Sequence, residues 1–152
     1  MSVKSQETNM RRLAGLLSQD LSYIGGEREC GPNGAKKTFL NQGKVFLRAL
    51  AKDLGLHDAK ITANPGGIAV SGDCSLIGMW ENNGIYVTLS QFCSGKYVLL
   101  FRTARNVRDY SGGHNNYLTL NDLRNLPYPA LLEKLSTLRK EGGIHERFDR
   151  AA

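Results

Sequence analysis

No apolar run in this chain of 152 residues approaches the roughly 20 residues needed to cross a bilayer as a helix. The N-terminal MSVKSQETNMRR is polar and has no signal-peptide core, so a cytoplasmic protein with no membrane partner is expected. Cysteine is scarce. Cys30, Cys74 and Cys93 are odd in number and show no CxxC spacing, which argues against a disulfide scaffold and a zinc finger and makes reduced thiols the default. Histidine is equally sparse: His57, His114 and His145 lie in unrelated contexts. With no cluster of His, Cys, Asp or Glu at ligand spacing, neither a metal nor a cofactor is expected. The phosphate-binding GxxxxGK[ST] loop is missing, with Gly31 and Lys36-Lys37 only a faint echo of it, and no GxGxxG follows a strand. No GxSxG elbow supports hydrolase chemistry.

Positive charge, by contrast, is plentiful. Lys and Arg total 20 against 14 Asp and Glu, giving a net charge of +6 and a pI near 9.4. That balance suits an anionic partner, either nucleic acid, a nucleoprotein or an acidic protein. With 41% hydrophobic and 22% charged residues, the composition fits one globular domain over residues 1–152, without repeats or low-complexity tracts.

Met10, Leu13, Leu17, Leu21 and Ile24 recur at three- and four-residue steps and predict an N-terminal helix over 5–24, capped by Ser5 and stopped by Gly25-Gly26. GGERECGPNG, residues 25–34, predicts a glycine-rich linker. The core, 35–143, opens with a helix over 35–54 whose apolar face carries Phe39, Gly43, Phe46, Leu47, Leu50 and Leu54. Gly43 on that face would allow close approach by another element. Lys37, Asn41, Lys44, Arg48 and Lys52 fall elsewhere on the helix, within an arc of about 80° at 100° per residue. No acid interrupts that arc. Lysines at four-residue spacing repel one another slightly, a cost that an anionic partner would remove.

From Lys60 to Phe101 the period changes to two. ITANPGG reads as a turn-rich lead-in, and Ile68, Val70, Cys74 and Leu76 as the inward residues of a first strand, with Gly72 at a bulge. WENNG, residues 80–84, holds the Asn-Gly pair of a hairpin turn. Ile85, Val87 and Leu89 mark a second strand, and Tyr97–Thr103 a third. The prediction is an α+β fold: a three-stranded antiparallel meander packed against helices, with the additional N-terminal helix and C-terminal helices. The latter are a short turn over 120–126 capped by Thr119 and a last helix over 129–141, followed by a mixed-charge tail at 144–152.

The densest polar stretch is KYVLLFRTARNVRDYSGGHNNY, residues 96–117. Arg102, Arg105 and Arg108 can grip phosphate oxygens through paired N–H groups, and Gly112-Gly113 can let backbone N–H groups approach an anion. His114 and Asn115 add hydrogen-bonding capacity. Tyr86, Tyr110 and Tyr117 beside arginines suit stacking on bases, and Trp80 either stacks likewise or packs beneath the hairpin. The expected anion-binding set is therefore Lys37, Lys44, Arg48, Lys52, Arg102, Arg105, Arg108, Gly112, Gly113, His114, Asn115, Tyr86, Tyr110 and Tyr117.

The helix–three-strand–helix order resembles the double-stranded RNA-binding domain in topology. The last helix, however, begins PYPALLEKL in place of that family's KKxAK motif, and the family is not assigned. KxFLxxGKxFLRxLAKDLGL, NPGGIAVSG and DYSGGHNNY, spanning roughly residues 36–117, are similar to small uncharacterised accessory proteins of phages and mobile elements. That resemblance implies an accessory role, antagonism of a host defence complex (anti-CRISPR-like) among the possibilities. The leading expectation is non-catalytic binding of nucleic acid or a nucleoprotein. The alternatives are a protein-binding inhibitor of a host defence protein, and a phosphodiester enzyme using His114.

Overall fold

A computed structural model describes residues 2–21, 34–66, 70–108 and 113–139. Among the described residues, four α-helices and five strands follow one another as α1 (Val3–Leu17), α2 (Ala35–Asp53), β1 (His57–Asn64), β2 (Asp73–Met79), β3 (Gly84–Phe92), β4 (Tyr97–Ala104), β5 (Asn116–Thr119), α3 (Leu120–Asn125) and α4 (Tyr128–Ser136). The strands form one sheet in the order β1-β2-β3-β4-β5, each pairing antiparallel with the next. The α+β class and the meander agree with the sequence, but the sheet has five strands where three were expected.

Neither extra strand carries a full apolar alternation, and in β1 only the second half alternates. ITAN is the end of β1, and residues 57–60 of that strand are all exposed. β5 is four residues long and includes the buried amide Asn116. The first expected strand is also shifted. Val70 lies outside any strand and is exposed, and Gly72 has φ +80 just before β2 rather than within it. The β2–β3 hairpin turns at 80–83, but neither Asn83 nor Gly84 has positive φ. Gly84 is needed for space instead, because a Cβ there would meet the Gly78 carbonyl and the Met79 sulfur.

α1 is shorter than the expected 5–24, and its cap is Ser2, whose hydroxyl accepts from the Ser5 N–H. Ile24 and Gly25-Gly26, most of the linker and the tail lie outside the described residues. α3 has the full capping box: Thr119 accepts from the Asp122 N–H while Asp122 accepts from the Thr119 N–H. Pro129 sits in the first turn of α4, which spans Tyr128–Ser136 within the expected 129–141 apart from its first residue.

One hydrophobic cluster joins all four helices to one face of the sheet. α2 crosses β1 and β2 and buries Phe39, Phe46, Leu47 and Leu50 completely. Gly43 sets the approach distance: a Cβ there would stand 2.5 Å from the Cys74 sulfur. The Cys74 thiol donates toward the Leu40 carbonyl at 3.4 Å, and burial pushes its pKa up to about 12, so it behaves as a core residue. A polar pin locks the helices together. Tyr128 Oη donates to Asp53 at 2.6 Å, Gln6 Nε2 donates to the Phe46 carbonyl and to Tyr128 Oη, and the Tyr128 N–H donates to Glu7. Trp80, which could have stacked on a ligand, is 2% exposed and donates its indole N–H to the Leu54 carbonyl.

Candidate nucleic-acid interface on the open face of the sheet

Strand side chains alternate between faces, so the register decides which residues are neighbours. Leu76, Val87 and Phe101 pair in a row and belong to the core cluster. The adjacent row, Lys60, Ile77, Tyr86 and Arg102, therefore points the other way, as does the next, Thr62, Ser75, Thr88, Leu100 and Tyr117. Ile77 and Leu100 fit this reading: each is 7% exposed, yet neither belongs to the core cluster. Among the described residues, the helices that pack on the sheet do so from the core side.

On this face, which no helix among the described residues covers, the polar and aromatic side chains are organised. The Arg102 guanidinium lies over the Tyr86 ring, 4.8 Å from its centroid, and donates to Asn115 Oδ1 at 2.7 Å. Asn115 Nδ2 donates in turn to Tyr117 Oη at 3.4 Å. The Tyr117 ring stacks on Tyr97 with centroids 4.9 Å apart and meets Phe92 edge-on at 5.9 Å. Lys96 sits over Tyr97 at 5.4 Å. The register shifts between Leu89 and Phe92 and between Tyr97 and Leu99, and these irregularities break strict alternation where Phe92 and Tyr97 join Tyr117. Tyr117 is 38% exposed, and Tyr86, Tyr97, Phe92 and Arg102 are half-buried.

Of the sequence-predicted residues, Tyr86, Arg102, Asn115 and Tyr117 thus form one connected surface. Arg105, Arg108 and His114 are exposed in the β4–β5 connection beyond it, where the Arg108 N–H is held by Asn106 Oδ1 at 2.8 Å. Tyr110 and Gly112 lie outside the described residues. Gly113 has a different use from the expected one: a Cβ there would lie within 3 Å of the Thr103 backbone, so glycine lets the connection lie close along β4. Lys37, Arg48 and Lys52 are exposed and Lys44 half-buried, all on the outer surface of α2. The α2 residues that reach the core are centred about 160° from them around the helix axis, so the two basic regions occupy opposite sides of the domain. A cleft of about 770 Å³ beside the start of β2, lined by Ser71, Asp73, Ser90 and Gln91 among others, contains none of the predicted residues.

Sequence reasoning missed Phe92, Tyr97, Lys60 and Lys96. Phe92 and Tyr97 bracket the CSGK turn, and an aromatic pair on either side of a hairpin was the signal available. No family model, curated protein or solved structure matches this chain. No helix among the described residues is long and apolar enough to cross a membrane.

Proposed function

We propose that this protein binds single-stranded nucleic acid on the open face of its sheet and carries out no chemistry on it. One observation supports this above all: the run Tyr86–Arg102–Asn115–Tyr117–Tyr97, in which rings and a guanidinium are fixed side by side on a sheet face. Bases stack on such rings regardless of sequence because every base has a π-face, and a nearby cation attracts the backbone. Arg102 is already ordered by its ring and its amide before any ligand arrives, which lowers the entropy cost of binding. The net charge of +6 favours the same partner.

The test is titration of a fluorescent single-stranded oligonucleotide, RNA and DNA in parallel, with wild type, Tyr86→Ala and Tyr117→Ala. Each loss of a stacking ring is expected to weaken binding by about 1–3 kcal/mol. Thermal melts should stay near wild type for Tyr117→Ala, since that side chain is substantially exposed. A wild-type protein that binds neither nucleic acid, or ring deletions that leave affinity unchanged, would remove the proposal.

A further inference from the structure

The outer face of α2 is not absorbed by the sheet surface. Lys37, Asn41, Lys44, Arg48 and Lys52 lie along one side of a single 19-residue helix. From Lys37 to Lys52 the row is about 22 Å long at 1.5 Å per residue. Among the described residues no carboxylate forms a salt bridge with any of its four cations. Lys36, adjacent in sequence, is excluded from the row: it is buried and donates to the Val70 carbonyl at 2.8 Å. Both aromatic residues of α2, Phe39 and Phe46, are fully buried on the opposite side. This face therefore offers charge in a straight line, and α2 itself exposes no ring there on which a base can stack.

We infer that the outer face of α2 is a second polyanion site, separate from the sheet face, that takes the phosphate backbone of a nucleic-acid duplex. A duplex is a stiff rod bearing one phosphate per 3.4 Å on each strand, and its stacked bases have no use for an exposed ring. A straight row of cations on a rigid helix matches that partner. A flexible single strand gains more from the aromatic surface on the other side. The two sites face in opposite directions, so one protein engages a duplex and a single strand at once. Lys44 and Arg48, one turn apart at the middle of the row, are its centre.

The experiment measures binding to a short blunt duplex and, separately, to a single-stranded oligonucleotide over a range of salt. The proteins are wild type, Lys44→Gln/Arg48→Gln, Lys37→Gln/Lys52→Gln and Tyr86→Ala/Tyr117→Ala. Neutralising Lys44 and Arg48 is expected to weaken duplex binding about tenfold or more. It should lower the salt slope by about 1.8, two phosphates at about 0.9 each, and leave single-strand affinity within about twofold. The Tyr86/Tyr117 variant should show the reverse pattern, so failure of the single-strand reading is distinguishable from failure of this one. The Lys37/Lys52 variant repeats the measurement on residues farther from the core contacts, in case the first pair disturbs α2. An unchanged duplex slope in either folded glutamine variant overturns the inference. So does a wild-type protein that binds no duplex while its α2 face captures an acidic protein.

Discussion

On the sheet face, Arg102 is held between the Tyr86 ring and the Asn115 amide. On the outer face of α2, the cations stand in a row with no carboxylate partner among the described residues. Both regions are basic, but they differ in order. Ordering a long side chain on binding costs about 0.5–1.5 kcal/mol, and Arg102 has lost much of that freedom in the free protein. It also sits among rings, so its surroundings can distinguish a splayed base from a stacked one. No salt bridge among the described residues fixes the α2 cations, and a row of charges without rings can sense little beyond charge. Positive charge alone therefore says that a partner is anionic, whereas what surrounds the charge says which form of the anion fits.

The comparison depends on α2 and the sheet being two layers of one core, and the largest expected effect tests that dependence. Leu50 is fully buried between them, and Leu50→Ala should cost about 2–5 kcal/mol in chemical denaturation. Arg48→Gln, on the same helix but facing solvent, should change stability by less than about 0.5 kcal/mol. Equal losses from the two would mean that the inner and outer faces of α2 are wrongly assigned.

A smaller break comes at the contact between the layers. Gly43→Ala would gain about 1 kcal/mol of helix propensity in a free helix. Here the new methyl meets the Cys74 sulfur at 2.5 Å, and overpacking of this kind costs about 1–3 kcal/mol. The net expectation is destabilisation, partly relieved when Cys74→Ala is added. A Gly43→Ala protein more stable than wild type would show that the layers are not in close contact there.

Arg102→Lys sharpens the contrast between ordered and free charge. Lysine keeps the charge but not the planar group that covers Tyr86 and reaches Asn115. It should lose most of the single-strand affinity that Arg102→Ala loses, about 1–2 kcal/mol, whereas Arg48→Lys should leave duplex binding nearly unchanged. If lysine serves equally well at both positions, the sheet face is reading charge alone.

The helices were legible because Met10, Leu13 and Leu17, and again Phe39, Phe46 and Leu50, repeat at helical spacing and all point into the core. β2 to β4 were legible in outline through alternation. β1 was not, because it is an edge strand whose first half faces solvent and has no buried residue to set the period. β5 exists through pairing with β4, a long-range contact that local sequence does not announce. The site follows the same division. Tyr86 fell on the polar phase of its strand, but only the pairing of β3 with β4 puts Arg102 beside it. The stack of Tyr97 on Tyr117 depends on a register shift between Tyr97 and Leu99, which no periodicity reveals.

The smallest expected effect concerns Asp73, which shares the strand phase of Ser75 and Ile77 and so the face of the proposed single-strand surface. Asp73 opens β2, and burial raises its pKa above 3.8, more than the Ser75 hydroxyl, which donates to it at 3.5 Å, lowers it. A carboxyl with a raised folded pKa binds its proton more tightly folded than unfolded. The fold therefore loses stability as pH rises from about the unfolded value of 3.8 through the folded pKa, and above that window the loss is complete. Asp73→Asn removes the charge and with it the cost. It should raise the melting temperature slightly at neutral pH, with the advantage over wild type shrinking as pH falls through the same window. Because the substitution also removes a negative charge from near an anion-binding face, single-strand affinity should rise modestly, and more at low salt than at high salt. Loss of stability of the same size at every pH would mean that the carboxylate makes a contact the fold needs. Unchanged affinity at low salt would place the bound strand away from Asp73, toward Tyr117 and Tyr97.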